Sequence, residues 1–232
     1  MLRTLNKEIA GNKEIAGICP EPPQNCGLCP RLRDFRDEWR KKEPLWHNGP
    51  VKPFLPCDGA DSTRLLIVGL APGLRGANRT GRPFTGDYAG DLLYSTLKKY
   101  GFARGNFEAR VDDSLELVDT TIVNAVRCVP PENKPTGAEI NQCRQFFAPL
   151  LENLPRLKAV VTLGSIAHQS TVRALGAKIA QHPFGHGKVT DIGHLRIFPS
   201  YHCSRYNTNT GRLTEMMFHE IFSAVRDYLD HN

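Results

Sequence analysis

Four short runs of the sequence are almost entirely apolar, and more polar stretches separate them. The runs are residues 64–70 (RLLIVGL), 120–126 (TTIVNAV), 157–164 (LKAVVTLG) and 194–200 (HLRIFPS). Continuous apolar runs of this length are typical of strands that are buried on both faces of a sheet. We therefore predict four central strands that pair mainly in parallel.

The stretches beside these strands have the character of helices. We predict helices over residues 32–42, 90–100, 136–153 with a bend at Pro149, 165–175 and 213–229. Alternation of strand and helix is typical of an α/β fold, in which ligands bind beyond the carboxyl ends of the parallel strands. The loops that follow the strands are therefore the first place to look for functional residues.

The length of 232 residues fits one domain with extensions better than two independent cores. Residues 6–11 (NKEIAG) repeat as residues 12–17, so we expect residues 1–18 to form a tail and residues 19–232 to form a single domain. No run approaches the roughly 20 apolar residues that cross a bilayer, and the N-terminus has no apolar stretch of signal-peptide length. We accordingly expect a cytoplasmic protein without membrane attachment.

Basic side chains outnumber acidic ones by 30 to 24, which gives a formal net charge of +6. This mild excess favours an anionic partner without requiring one. The chain also has seven cysteines. In a protein without an export signal, they are better explained as thiols or metal ligands than as a disulfide framework.

Two pairs of cysteines have a spacing that suits a metal site. Cys26 and Cys29 form a C-x2-C pair, and Cys128 and Cys143 form a C-x14-C pair. Four thiolates suit tetrahedral zinc or an iron–sulfur cubane, and the spacing does not distinguish these two. The alternative is that Cys128 and Cys143 are ordinary buried thiols. The remaining cysteines would be free thiols: Cys19, Cys57 and Cys203.

The loop after the first strand, residues 69–90, contains six glycines with arginines among them. Glycine lets the backbone approach a ligand, and guanidinium groups bind phosphate oxygens, although neither a Walker loop nor a dinucleotide fingerprint is present. Phe84 in this loop is either a core residue or a platform on which a base stacks. Asp87 is either a helix N-cap or a carboxylate that faces a developing cation or a water.

The loops after the second and last strands contain Asn124 and His202. Asn124 either satisfies backbone groups or presents a donor and an acceptor that match the lactam edge of uracil. His202 is either a structural residue or part of a polar loop, residues 200–214, that suits phosphates and a nucleic-acid groove. No GxSxG motif and no serine or cysteine nucleophile is indicated.

Together these three loops resemble those of the uracil-DNA glycosylase superfamily, and specifically its family 5 (type B) iron–sulfur branch. The resemblance extends from about Cys26 to Leu229 and rests on GLAPGLRGANRTGRPFTGDYAG, NAVRCVPPENKP, the C-x14-C pair and HCSRYNTNTGRLT. Residues 69–73 read GLAPG, which favours family 5 over family 4, where the motif resembles GEAPG. Cys203 is a departure, since many relatives have proline after the histidine.

The resemblance implies a three-layer α/β/α sandwich around a central, four-stranded, mainly parallel sheet. It also implies a structural [4Fe–4S] cluster with four ligands: Cys26, Cys29, Cys128 and Cys143. The protein would be a monomeric, monofunctional uracil-DNA glycosylase. It would flip uracil, and other deaminated bases such as hypoxanthine, out of DNA, hydrolyse the N-glycosidic bond and leave an abasic site.

The same resemblance gives roles to residues of the three loops. Asp87 would stabilise the sugar cation or orient the water, His202 would stabilise the leaving uracil, and Asn124 would read its edge. The base would also contact Ala71, Gly73 and Phe84. The DNA would contact the following side chains, with Arg205 or Tyr206 as the wedge: Arg75, Asn78, Arg79, Arg82, Lys134, Ser204, Arg205, Tyr206 and Asn207.

Two other functions stay open at this point. The first is a catalytically silent iron–sulfur DNA-binding protein on the same fold, which the presence of both Asp87 and His202 disfavours. The second is a zinc-stapled α/β hydrolase of a small nucleotide. A duplex binder loses affinity steeply with salt, whereas a mononucleotide hydrolase does not.

Overall fold

The computed structural model describes residues 19–232, so the predicted tail of residues 1–18 lies outside the described part of the chain. The strands are β1 (Leu65–Gly69), β2 (Ala103–Arg104), β3 (Glu116–Leu117), β4 (Thr120–Asn124), β5 (Ala159–Leu163), β6 (Thr190–Ile192) and β7 (Leu195–Ser200). The α-helices are α1 (Pro30–Lys42), α2 (Ala77–Thr80), α3 (Tyr88–Lys99), α4 (Gly137–Cys143), α5 (Ala148–Asn153), α6 (Ser165–Ala174), α7 (Arg205–Asn209) and α8 (Glu215–Asp230). Three short 3-10 turns lie at Ala60–Ser62, Pro131–Asn133 and Arg144–Phe146.

The main sheet has five strands in the order β4-β1-β5-β7-β6. The first four strands are parallel and are the four apolar runs of the sequence, as predicted. The fifth, β6, is antiparallel to β7 and was missed, so the expected count of four strands is corrected. Of its three residues only Ile192 is buried, and they form no apolar run, so the sequence pattern does not reveal the strand.

The region predicted as one helix over residues 136–153 is broken. Helix α4 passes into the 3-10 turn Arg144–Phe146, and α5 begins at Ala148. The chain breaks at Phe147 rather than bending at Pro149. Pro149 lies in the first turn of α5, where the missing N–H leaves no intrahelical hydrogen bond unmade.

Alternate residues of β1 face two separate layers of apolar side chains. Leu65 and Ile67 belong to a core that contains Phe222 of α8, and Leu66 and Val68 belong to a second core on the opposite face. The sheet therefore lies between two helical layers, which is the predicted α/β/α arrangement. Among residues 19–232, no helix is both long enough and apolar enough to cross a membrane.

A buried ion pair holds the loop that follows β1. The Arg82 guanidinium donates from Nη1 to Oδ1 of Asp113 at 2.8 Å and from Nη2 to Oδ2 at 2.7 Å. Its Nε donates to Thr85 at 2.8 Å, and the ring of Phe54 lies 5.1 Å from the guanidinium carbon. Arg82 is only 7 % exposed and the Asp113 side chain is fully buried. The expectation that Arg82 contacts DNA is therefore corrected, because its guanidinium is enclosed in the protein.

Replacing Asp113 leaves the Arg82 guanidinium buried without its counter-charge. We expect Asp113→Asn to lower the free energy of unfolding by about 3–5 kcal/mol at pH 7, the usual result of breaking a buried pair, as measured by urea denaturation. Desolvation raises the pKa of Asp113, but hydrogen bonds from Arg82 and two backbone amides outweigh it, so the folded pKa is lowered. The stabilisation is therefore complete above the unfolded pKa of about 3.9 and is lost as the pH falls through the folded pKa.

The neighbouring Asp112 supplies the control, because its ion pair with Arg110 is exposed. Asp112→Asn should leave the free energy of unfolding close to that of the wild type, because an exposed ion pair contributes little to stability. Equal losses in the two variants would show that the Arg82–Asp113 pair has no special role.

Candidate active site

The loops after β1, β4 and β7 surround one open cavity of about 510 Å³ at the carboxyl edge of the sheet. Its lining includes every residue that the sequence predicted to act on the base or to contact it: Ala71, Gly73, Phe84, Asp87, Asn124 and His202. Three separate parts of the chain are thus brought together by the parallel order of the strands.

Asn124 is fixed by its place at the end of β4, opposite Gly69 at the end of β1. It is only 3 % exposed, and its amide makes no hydrogen bond within residues 19–232. A Cβ on Gly69 would lie 2.3 Å from Oδ1 of Asn124 and 2.8 Å from Cζ of Phe84. The space between the Asn124 amide and the Phe84 ring therefore requires glycine at position 69.

Phe84 has an unusual backbone conformation, with a positive φ of 53°. Gly90 allows it, because a Cβ there would lie 1.9 Å from the carbonyl oxygen of Phe84. The ring is nearly parallel to that of His202, with centroids 6.0 Å apart and an interplanar angle of 28°. Phe84 is thus both part of the core and a wall of the cavity, so the two interpretations of the sequence are compatible.

Asp87 likewise has two roles at once. It caps helix α3 by accepting a hydrogen bond from the Gly90 amide at 3.4 Å, and its carboxylate faces the cavity. Glycines at positions 73 and 76 make room for it, since a Cβ there would lie 3.1 Å and 2.6 Å from Oδ2. Burial among protein atoms raises the pKa of Asp87, and the amides of Gly90 and Ala89 offset this only in part.

His202 follows β7 directly and forms the opposite side of the cavity. Burial lowers its pKa to about 4, with no charged neighbour contributing. At neutral pH the imidazole is therefore uncharged, with one ring nitrogen that carries a proton and can donate a hydrogen bond into the cavity. The Asn207 amide donates to the His202 carbonyl at 2.8 Å and holds this part of the loop.

Cys203, where relatives commonly have proline, is fully buried. Its thiol donates to the carbonyl oxygen of Ala89, in the first turn of α3, at 3.5 Å. This contact joins the loop of His202 to the helix that Asp87 caps. The cysteine thus anchors a turn that a proline would stiffen.

The residues predicted to contact DNA differ in their position relative to the cavity. Ser204 and Arg205 line the rim of the cavity, and the Arg205 guanidinium lies 5.3 Å from the ring centre of Tyr88. Tyr206 projects outward and is 73 % exposed. Also exposed at the surface are Arg75, Arg79 and Lys134, the last of which is 3.3 Å from Glu132.

Asn78 does not fit its predicted role. It is fully buried, and its Nδ2 donates to Oδ1 of Asn48 at 2.9 Å. The expectation that Asn78 contacts DNA is therefore corrected to a structural role. Six lining residues were not among those predicted: Leu70, Pro72, Ala77, Tyr88, Ala89 and Asn133. Asn133 lies beside Lys134 in the second loop and has a positive φ of 56°. The signal in the sequence was its residue type, because asparagine adopts positive φ more readily than most residues do.

A second pocket lies at the start of α1 and the end of α4. It is lined by all four cysteines with metal-ligand spacing: Cys26, Cys29, Cys128 and Cys143. Burial raises the pKa of Cys29 to about 11 and that of Cys128 to about 12, and charge on the neighbouring thiols acts in the same direction. Within residues 19–232, no three His, Cys, Asp or Glu side chains are arranged to hold a single metal ion. Four thiol side chains line this one pocket, and such a donor set suits either tetrahedral zinc or an iron–sulfur cubane.

Comparisons with known proteins agree with this geometry. The model of the uracil DNA glycosylase superfamily matches residues 56–226. A protein of Thermus thermophilus named type-5 uracil-DNA glycosylase is 42 % identical, over 87 % of this chain and 92 % of its own length. Proteins of the same name from Pyrobaculum aerophilum (39 % identical, 82 % of this chain and 83 % of that protein) and Mycobacterium bovis (41 %, 87 % and 77 %) are also similar. The chain therefore belongs to the uracil-DNA glycosylase superfamily, and within it to the type-5 family.

Proposed function

We propose that the protein is a monofunctional uracil-DNA glycosylase of base excision repair, which hydrolyses the N-glycosidic bond of uracil in DNA and leaves an abasic site. The observation that carries the proposal is the meeting of Asp87, Asn124 and His202 around one cavity beside the ring of Phe84. The names of the type-5 relatives support it. A catalytically silent protein is not favoured, because both charge-stabilising side chains face the same space.

The cavity suits a base that has left the helix. A duplex shields the sugar carbon at which the bond breaks, so the nucleotide must be extruded before it reacts. The extruded uracil stacks beside Phe84, and the Asn124 amide pairs with its N3–H and O4. Because that amide is buried without a protein partner, the base supplies hydrogen bonds that the folded chain leaves unmade.

The two remaining side chains meet the charges that develop as the bond breaks. Negative charge grows on the leaving uracil, and the neutral His202 donates a hydrogen bond to its O2. Positive charge grows on the sugar, where the Asp87 carboxylate stabilises the oxocarbenium ion or orients the attacking water. Both groups are held in place before the reaction, so they need little reorganisation when the charges appear.

The DNA lies across the rim of this cavity in the proposal. Arg75, Arg79 and Lys134 are exposed and contact phosphates, while Ser204 and Asn207 shape the loop that enters the duplex. Tyr206 is the wedge rather than Arg205, because the Tyr206 side chain projects into solvent whereas the Arg205 guanidinium packs over the Tyr88 ring. The enzyme acts as a monomer.

The pocket also accepts deaminated purines such as hypoxanthine in this proposal. Leu70 lines the pocket where the family 4 motif GEAPG has its glutamate, so this side of the pocket is uncharged. The proposed compartment is the cytoplasm.

The proposed cofactor is a structural [4Fe–4S] cluster. Its ligands are Cys26, Cys29, Cys128 and Cys143. Four thiolates also suit tetrahedral zinc, and the resemblance to the iron–sulfur branch of the family is what favours the cluster. When bound, it cross-links the N-terminal segment to the 128–143 connection and takes no part in hydrolysis.

Removal of the His202 imidazole tests the catalytic assignment. Loss of one preorganised donor of this kind is worth about 3–4 kcal/mol, so we expect His202→Ala to lower the single-turnover rate of uracil excision at least about a hundredfold. The rate is measured on a uracil-containing oligonucleotide that is cleaved with alkali at the abasic site. His194→Ala is the control, since His194 is exposed and outside the cavity. A His202→Ala enzyme of near wild-type rate would refute the assignment.

The pH dependence of the rate tests the charge states of the site. The reaction needs ionised Asp87, whose pKa is raised above 3.8 by burial, and neutral His202, whose pKa is about 4. We expect the single-turnover rate to fall on acidification at a pH above 3.8, and we expect Asp87→Asn to be slower and to keep only the fall near pH 4 that belongs to His202. A step near the ordinary histidine pKa of about 6.5 that persists in Asp87→Asn would contradict the neutral imidazole.

A further inference from the structure

Two arginine side chains are fully buried beside the four-cysteine pocket. Arg36 lies on α1 and is 2 % exposed, and Arg127 directly precedes Cys128 and is 0 % exposed. A guanidinium keeps its charge under all ordinary conditions. Its burial is therefore unfavourable unless negative charge lies close by.

The carboxylates that face these arginines compensate them incompletely. Arg127 donates from Nη2 to Oε1 of Glu21, but its own Nε and the second Glu21 oxygen are buried without partners. Arg36 meets Asp37 at 3.3 Å, and the Asp37 side chain is 45 % exposed to solvent. Each guanidinium therefore has one carboxylate partner, which is half-exposed for Arg36 and imperfectly matched in hydrogen bonds for Arg127.

Both arginine residues contact the cysteine segments, while the Arg127 guanidinium itself donates to the Val51 carbonyl and to Glu21. Arg127 lines the pocket itself, and its backbone amide donates to Sγ of Cys143 at 3.3 Å. Arg36 donates from Nη1 to the carbonyl oxygen of Cys26 at 2.9 Å. Burial raises the pKa of the Cys128 and Cys143 thiols, while the charge of Arg36 acts in the opposite direction on Cys128 and that of Arg127 does so on Cys143.

We propose that Arg36 and Arg127 are the counter-charges of the metal group bound by the four cysteines. The inference rests on the proposed cofactor. A [4Fe–4S] core with four thiolate ligands carries net negative charge, as zinc with four thiolates does. Because two of the four ligands, Cys128 and Cys143, are buried, water screens that charge only in part and buried cations stabilise it. The thiols release their protons to solvent when the metal binds, so the two arginines then face anions.

The wild-type chain comes first in the test. It is purified without oxygen, and its iron, acid-labile sulfide and zinc contents are measured. Its absorbance is measured at about 400 nm, where thiolate-to-iron charge transfer is expected. Iron and sulfide with that absorbance support the cluster. Zinc would overturn the cluster but not the counter-charge. A wild-type chain without either metal would overturn both proposals.

Arg127→Met then tests the charge. Mutation of a residue that contacts the metal ligands, rather than the metal itself, typically lowers metal affinity about 10- to 100-fold. We expect the variant to lose its metal to a chelator at least about tenfold faster than the wild type, and any cluster to have a more negative reduction potential. Arg127→Lys keeps the charge and should retain the metal better. Lys41→Met is the control, because Lys41 is an exposed cation on α1.

A double variant separates the counter-charge from a simple ion pair. If Arg127 served only to neutralise Glu21, removing both charges in Glu21→Gln with Arg127→Met would restore wild-type retention of the metal. The proposal predicts that the double variant still loses its metal quickly and that Glu21→Gln alone keeps it. A metal-loaded wild type whose double variant behaves like Lys41→Met would overturn the inference and leave the proposed cofactor standing.

Discussion

The candidate site depends on the last pair of residues in the ladder between β1 and β4, where Gly69 lies opposite Asn124. No other residue fits at position 69, because even a methyl group would overlap the Asn124 amide and the edge of the Phe84 ring. Because position 69 has no side chain, the Asn124 amide and the Phe84 ring fill that space and keep their places in the wall of the cavity. The parallel pairing of the two strands thus sets the position of the group that reads the base.

The other side of the cavity is assembled around the start of α3. Asp87 caps that helix, and Cys203 bonds to the carbonyl oxygen of Ala89, so the carboxylate and the imidazole of His202 are held against one rigid element. The buried Arg82–Asp113 pair fixes the loop after β1, which carries Phe84 and Asp87. A site that stabilises charges of both signs needs its groups fixed relative to each other, and these contacts provide that.

The parallel strands and the convergence of three loops could be predicted from the sequence, because both follow from apolar runs and from the geometry of parallel sheets. The roles of Arg82 and Asn78 could not. An arginine in a glycine-rich loop has the character of a phosphate ligand, and its partner Asp113 lies 31 residues away in a segment without a regular pattern. The buried charge of Arg127 was equally hidden, since only tertiary packing decides whether an arginine is exposed.

The most direct test of the site concerns the missing side chain at Gly69. Gly69→Ala should lower the single-turnover rate of uracil excision about a hundredfold, because the methyl group displaces the Asn124 amide and the Phe84 ring by a distance of order 1 Å. Gly137→Ala is the matched control, since a Cβ there meets nothing within 4 Å. Both folded variants are compared with the wild type on the same oligonucleotide. A Gly69→Ala enzyme that excises uracil as fast as Gly137→Ala would contradict the account.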